Sequence, residues 1–115
     1  MRKSVASIVN ETAAKHRLTV AQLLGPNRAR QYVRPRQEAM YRVFTECKHI
    51  SYPDAGRRLG GRDHTTVLHG VKAHAQRIGI AYADAKLIRE GGINKPAFAA
   101  MASQYAQALE AHRVQ

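Results

Sequence analysis

Residues 60–69 read Gly-Gly-Arg-Asp-His-Thr-Thr-Val-Leu-His, and they are the most informative segment of the chain. Two glycines interrupt the backbone, and Asp63 stands where a new helix can begin. Histidines and threonines fill the first turns of that helix, although such side chains are poorly suited to a hydrophobic core. A helix that has hydrogen-bonding groups at its positive dipole end is suited to a polar, anionic partner.

The residues on either side of this stretch predict two helices joined by the glycine turn. Ser51 and Asp54 form a capping pair for a short helix, which has a proline in its first turn and ends at Leu59. The helix that Asp63 is predicted to cap runs to about residue 78, and Gly79 ends it. A short helix, a glycine turn and a longer helix match the plan of a helix-turn-helix.

Capping residues also predict two helices near the N-terminus. Ser4 can cap the first helix, and Thr19 with Gln22 forms a capping box for a short second helix, Val20–Leu24. Residues 26–34 are predicted to form a basic loop. The apolar positions of the first helix follow helical spacing at Val5, Ile8, Val9 and Ala13.

Three further helices are predicted. Pro35 suits the first position of a third helix, residues 81–89 can form a short one, and a last helix runs from Pro96 to about Arg113 after a break at Gly91-Gly92. The apolar face of the third helix consists of Met40, Val43, Phe44 and Cys47. The apolar stripe of the last helix consists of Phe98, Met101, Ala102, Tyr105 and Leu109.

Composition favours a small, strongly basic, all-α protein. The chain has 115 residues, 44% of them hydrophobic, with no Trp and few aromatic residues. A net charge of +11 indicates an anionic partner, with nucleic acid as the leading class. A single cysteine fits a reducing compartment, and neither a signal peptide nor a membrane-spanning segment is evident. A cytoplasmic location is therefore expected.

The helix after Asp63 is predicted to have one buried face and one free face. Helical rotation groups its apolar residues into a buried stripe of Val67, Leu68, Val71, Ala75 and Ile78. The opposite side consists of Thr65, Thr66, His69, Lys72, Ala73 and Gln76. Threonine suits the major groove of DNA because it combines a hydroxyl with a methyl that can pack on thymine.

Two features of this helix leave alternatives open. Asp63 can cap the helix or accept a hydrogen bond from a cytosine amino group, and in the first case the threonines are ordinary residues of a first turn. Gly70 costs roughly 1 kcal/mol relative to alanine inside a helix. That cost is consistent with a close approach either to DNA or to a neighbouring helix.

Residues 60–69 closely resemble the characteristic motif of the C-terminal DNA-binding domain of DnaA, the bacterial replication initiator. Arg34-Pro35-Arg36-Gln37 resembles the other recognisable segment of that domain, and the resemblance extends over about residues 5–78. It implies an all-α helix-turn-helix domain of the DnaA C-terminal, Trp-repressor-like type with an extra C-terminal helix. It also implies recognition of the short asymmetric DnaA box in double-stranded DNA.

The resemblance assigns roles to individual residues. In the family, the positions of Asp63, His64, Thr65 and Thr66 address bases and phosphates in the major groove. An arginine of the basic loop enters the minor groove, and Arg28 matches its position, with Arg30 close by. Arg36, Gln37 and His69 match positions that hold the phosphate backbone. The complete predicted DNA-binding set is Arg28, Arg30, Arg34, Arg36, Gln37, Ser51, Arg62, Asp63, His64, Thr65, Thr66, His69 and Lys72.

The sequence also indicates which activities are not expected. It has no Gly-x-x-x-x-Gly-Lys-Ser/Thr phosphate loop, so neither nucleotide binding nor ATP hydrolysis is expected. Three histidines of the helix after Asp63 recur every five residues and therefore cannot converge on one metal. They are His64, His69 and His74. No catalytic residue, metal or cofactor is predicted, and the chain is not expected to be an enzyme.

The expected function is sequence-specific DNA binding at DnaA-box-like sites by a stand-alone, nucleoid-associated regulator of transcription or replication initiation. The alternative is a protein-interaction module that docks the initiator or another partner through its C-terminal helix. The protein partners considered are the DnaA initiator and the chain itself. The predicted organisation is a helix-turn-helix domain at 1–79, a variable insertion at 80–95 and a packed C-terminal helix at 96–115.

Overall fold

The computed structural model describes residues 3–91, and over this range the chain is all-α. The elements are α1 (Val5–Lys15), α2 (Val20–Leu24), α3 (Arg30–Glu46), α4 (Tyr52–Arg58), α5 (His64–Arg77) and α6 (Tyr82–Glu90). The predicted fold class is confirmed. The predicted helix at 96–113, with its apolar stripe, lies outside the described residues.

Side-chain caps begin the short helices where the sequence predicts them. The Ser4 hydroxyl accepts from the Ser7 amide at 3.1 Å at the start of α1. In α2, the Gln22 amide donates to the Thr19 hydroxyl and the Thr19 amide donates to the Gln22 side chain. Ser51 accepts from the Asp54 amide at the start of α4. These bonds satisfy amides that have no partner within the helix.

The prediction that the third helix begins at Pro35 is wrong, because α3 begins at Arg30 and Pro35 lies inside it. A proline at this position removes one amide that would otherwise donate to the Gln31 carbonyl. The preceding turn still forms, since Val33 donates to the Ala29 carbonyl at 2.9 Å. Most of the predicted basic loop is therefore helix, and only residues 25–29 connect α2 to α3.

The long helix α3 forms the centre of the hydrophobic core. It packs against every other helix, most extensively against α5 and α1. The largest side chains buried there include Ile8, Leu23, Val43, Leu59, Val67 and Val71. Burial of this apolar surface provides the main free energy for folding.

The contact between α3 and α5 explains why α5 has a glycine, Gly70, in its interior. A Cβ atom added at Gly70 would lie 2.2 Å from the Met40 sulfur, so this glycine permits close approach to a neighbouring helix. The predicted buried stripe is correct for Val67, Val71 and Ala75. It is wrong for Ile78, which is 46% exposed at the end of α5, and Leu68 is only partly buried.

The end of α5 follows the expected pattern and leads directly into α6. Gly79 has φ +78°, and the Ile80 amide donates to the Ala75 carbonyl at 2.8 Å. These two features form a glycine C-cap. Helix α6 contacts α3 and α5 and buries Ala85. The segment after the helix-turn-helix therefore extends the same core.

The burial of His74 predicts a pH-dependent stability. This side chain lies against the Tyr41 ring with 5.2 Å between centroids, and burial lowers its pKa from the ordinary value of 6.5. The unfolded chain binds the proton more readily, so the free energy of unfolding should fall as the pH drops below about 6.5.

Chemical denaturation at pH 7.5 and pH 5.5 measures this effect. A His74→Phe variant should show a weaker dependence, and equal dependence in both proteins would contradict the prediction. The Glu38 carboxylate contributes to the pH dependence of stability in a more acidic range. Burial raises its pKa, but hydrogen bonds from Lys15 and His16 lower it by more, so its contribution is lost only below about 4.5.

Candidate nucleic-acid interface

A tight backbone crossing sets the angle between α4 and α5. The Arg62 amide donates to the Gly56 carbonyl at 2.7 Å, and a Cβ atom added at Gly56 would lie 1.9 Å from the Arg62 carbonyl oxygen. Gly60 has φ +85°, a conformation that glycine adopts without steric cost. Any larger residue at these positions would therefore require the turn or α4 to shift.

Asp63 occupies the N-cap position of α5, but its side chain does not cap the helix as predicted. Its carboxylate instead lies 3.0 Å from His64 Nδ1, and the two side chains are 66% and 61% exposed. An exposed carboxylate that makes no helix cap can accept a hydrogen bond from a partner. This geometry favours the second of the two roles considered for Asp63.

The free face of α5 is the one that the sequence predicts. Thr65, Thr66, His69 and Lys72 are all exposed, and α5 buries its opposite side against α3 and α4. The free face of α5 therefore presents hydroxyl, imidazole and ammonium groups to the surroundings. Such groups can hydrogen-bond to base edges and phosphates.

Arg62 is not a free surface cation. Its Nη1 donates to the Leu24 carbonyl at 2.9 Å and to the Leu59 carbonyl at 2.7 Å, and its Nη2 donates to the Gly25 carbonyl at 2.6 Å. The guanidinium thus joins the end of α2 to the turn before α5. The predicted DNA-binding role of Arg62 gains no support from this arrangement, whereas a positioning role does.

Arg36 also donates to backbone carbonyls, and it is more deeply buried than Arg62. It is 7% exposed, its Nε donates to the Leu23 carbonyl at 2.7 Å, and its Nη1 donates to the Asn27 carbonyl at 3.1 Å. Burial, followed by the nearby Arg62 charge, lowers its pKa. Two arginines of the predicted DNA-binding set are therefore engaged mainly with backbone carbonyls at the end of α2 and in the α2–α3 loop.

The remaining arginines of the predicted set are exposed. Arg28 lies in the loop, and Arg30 and Arg34 lie in the first two turns of α3. A cleft of about 400 Å³ separates the loop and α3 from the first half of α5. Six of the predicted residues line it, namely Arg28, Arg36, Gln37, Arg62, Thr66 and His69.

Two predicted polar residues already have partners within the protein. The Gln37 side-chain oxygen accepts from Arg77 Nη2 at 2.7 Å, which joins α3 to the last turn of α5. Ser51 is the cap of α4 and is exposed. Either group retains free hydrogen-bonding capacity for a phosphate.

The sequence of the chain matches a known family over most of the described range. The pattern of the family described as bacterial DnaA protein helix-turn-helix matches residues 5–73. The chain belongs to the bacterial DnaA helix-turn-helix family. The domain that defines this DnaA family binds DNA and is not catalytic. The chain therefore contains a DNA-binding helix-turn-helix.

Individual relatives are DnaA proteins of several bacteria. The chromosomal replication initiator protein DnaA of Roseobacter denitrificans is 45% identical over 69 residues, which are 60% of this chain and 15% of that protein. DnaA of Ruegeria pomeroyi is 46% identical over 72 residues, or 60% of this chain and 14% of that protein. DnaA of Thermomicrobium roseum is 48% identical over 64 residues, which are 56% of this chain and 14% of that protein.

The chain spans about 15% of the length of these DnaA relatives. The DnaA match ends within α5, before Arg77 and before the whole of α6. In residues 3–91, no helix has the length and apolar character needed to cross a bilayer.

Sequence reasoning missed Arg77 as the partner of Gln37 and missed the positioning roles of Arg36 and Arg62. Nothing in a local pattern distinguishes an arginine that binds distant carbonyls from one that faces solvent. Two further arginines, Arg57 and Arg58, lie in the last turn of α4. Both are exposed and lie 3.3 Å from the Asp54 carboxylate.

Proposed function

We propose that this chain binds double-stranded DNA at DnaA-box-like sites and regulates replication initiation or transcription without ATPase activity. The observation that carries the proposal is the pairing of two exposed elements, the first turns of α5 and the Arg28 loop. Both are attached to one rigid centre through the three hydrogen bonds of Arg62. Family membership supports DNA binding, and these residues supply the sequence preference.

The first turns of α5 would read base edges in the major groove. Thr65 and Thr66 offer hydroxyl groups and methyl groups, and the exposed carboxylate of Asp63 can accept from a cytosine amino group. His64 and His69 can donate to a base or a phosphate. Because α5 is rigidly packed through Gly70 against α3, these groups enter the groove with a fixed orientation.

The α2–α3 loop would reach the adjacent minor groove. Arg28 is exposed, and an arginine suits a narrow A·T-rich minor groove because the negative potential there is enhanced. Arg30 and Arg34 follow on the first two turns of α3, where they can contact phosphates. Phosphate contacts fix the position of the protein on the duplex, while base contacts determine which DNA sequence it prefers.

Paired binding assays test the specificity. Thr65→Val removes a hydroxyl and keeps the shape, so we expect a loss of about 1–3 kcal/mol on a DnaA-box duplex and little change on a scrambled duplex. Arg34→Gln should instead weaken both duplexes equally and reduce the salt dependence. Fluorescence anisotropy over several salt concentrations measures both effects.

The wild-type protein provides the decisive comparison. We expect it to prefer the box duplex at physiological salt, with affinity that decreases steeply as salt rises. Equal affinity for the two duplexes would reject sequence-specific recognition and leave only non-specific binding to DNA.

The proposed regulatory role rests on occupancy of the same sites that the initiator binds. The DnaA relatives are named as chromosomal replication initiators, and the matched segment is a small fraction of their length. A protein that occupies the same boxes would compete with the initiator or alter transcription nearby. Such a protein would act in the cytoplasm, on the nucleoid. Mapping of occupied sites on the chromosome, compared with initiator sites, tests this role.

A further inference from the structure

Two lysine ammonium groups share one aromatic ring beside the predicted DNA-binding face. Lys72 Nζ lies 5.0 Å from the centre of the Tyr82 ring, and Lys86 Nζ lies 5.8 Å from the same centre. The two nitrogens are thus within about 11 Å of each other. Among residues 3–91, neither ammonium forms an ion pair with a carboxylate.

This basic pair lies next to the elements that would contact DNA. Lys72 is on the free face of α5, one turn beyond His69. The Tyr82 hydroxyl is hydrogen-bonded to the Tyr52 hydroxyl, and Tyr52 is the first residue of α4, directly after Ser51. In a helix-turn-helix the first helix crosses the DNA backbone. The start of α6 therefore lies close to Ser51, a residue of the predicted DNA-binding set.

The position of α6 is fixed by contacts with the core. The Phe44 ring stacks on Tyr52 with 5.2 Å between centroids and on Tyr82 with 5.9 Å. Arg89 lies over the Phe44 ring at 4.8 Å and donates to the Phe44 carbonyl at 2.8 Å. Because α6 is attached at both ends, the backbone that carries Lys86 is fixed against α3 and α5.

The charges at this edge favour an anion. Two exposed ammonium groups near one ring make this edge positive, and a phosphate that approaches it would be attracted by both. The acidic residue in the first turn of α6, Asp84, is two residues from both Tyr82 and Lys86. It therefore lies on the other side of the helix. The positive end of the α6 dipole adds to the attraction.

We propose that α6 is a second DNA-contacting element, in which Lys86, together with Lys72, binds the phosphate backbone beside the bases read by α5. This inference rests on the proposed function for the orientation of α5. It goes beyond the family, since the matched residues end at 73 and α6 begins at Tyr82. The contact adds affinity that is independent of sequence, because phosphates are alike at every base pair.

A charge-removal pair tests the proposal. Lys86→Gln in the full chain should weaken binding about fivefold at 0.15 M salt and reduce the slope of log K against log salt by about 0.9. The loss should be the same on box and scrambled duplexes. Lys48→Gln is the matched control, because Lys48 is exposed and lies by Gly91, at the far end of α6. It should leave the slope unchanged.

Each result has one interpretation. Unchanged affinity and slope in Lys86→Gln, or equal losses in Lys48→Gln, would overturn the α6 contact. Lys86→Arg keeps the charge and should keep the slope, which separates a lost contact from damage to the fold. A wild-type protein without box preference would reject the proposed function instead, and the lysine effect would still be measurable on either duplex.

Discussion

Replacement of Gly56 by alanine should lower the free energy of unfolding by about 3 kcal/mol. The added methyl carbon would lie 1.9 Å from the carbonyl oxygen of Arg62, and a backbone atom cannot rotate away as a side chain can. Either α4 or the turn must shift, and the hydrogen bond from the Arg62 amide to Gly56 would be lost. Urea denaturation measures the change in stability.

Gly61→Ala is the matched control for this substitution. Gly61 has φ +72°, but a methyl group there would meet no atom within 4 Å. Only backbone strain should then appear, at a cost of about 1 kcal/mol. Equal destabilisation by both substitutions would show that the close crossing of α4 and the turn does not limit stability.

Replacement of Arg62 by methionine should cost about 3 kcal/mol of stability and also abolish the preference for the box duplex. Methionine keeps much of the length of the side chain but cannot donate to the carbonyls of Leu24, Gly25 and Leu59. A hydrogen bond from a charged donor contributes about 1.5–3 kcal/mol, and part-buried carbonyls left without donors add a further cost. Thermal unfolding and anisotropy together measure the two losses.

Arg62→Lys separates a positioning role from a phosphate contact. Lysine keeps the charge but lacks the planar fork that reaches three carbonyls at once. A positioning role therefore predicts that lysine is nearly as harmful to stability as methionine. Full stability together with near-normal DNA affinity in the lysine variant would instead favour a direct contact with phosphate.

Local chemistry was sufficient to predict most of the helices. Ser4, the Thr19–Gln22 pair and Ser51 act through amides no more than three residues away, so their sequence context contains the whole interaction. The start of α3 was missed because no such local interaction marks it. Ala29 makes no side-chain cap, and the only local signal was Pro35, which lies within the helix at the loss of one hydrogen bond.

The candidate site was predictable in its exposed part only. Thr65, Thr66 and His69 lie opposite an apolar stripe, and helical periodicity alone identifies that face. The partners of Arg36 and Arg62 are carbonyls up to 38 residues away in the chain, and Gly70 meets Met40 from another helix. Such contacts depend on the assembled fold, so no local pattern could reveal them.

The fork of Arg62 has a consequence for how this protein could acquire new targets. Because one guanidinium joins the end of α2 to the turn before α5, the distance between the two reading elements is set internally. Exchange of residues 63–69 alone could alter the preferred bases while the spacing between them stayed the same. Insertion of a single residue into the 25–29 loop would shift that spacing, so the loop and the turn must diversify together.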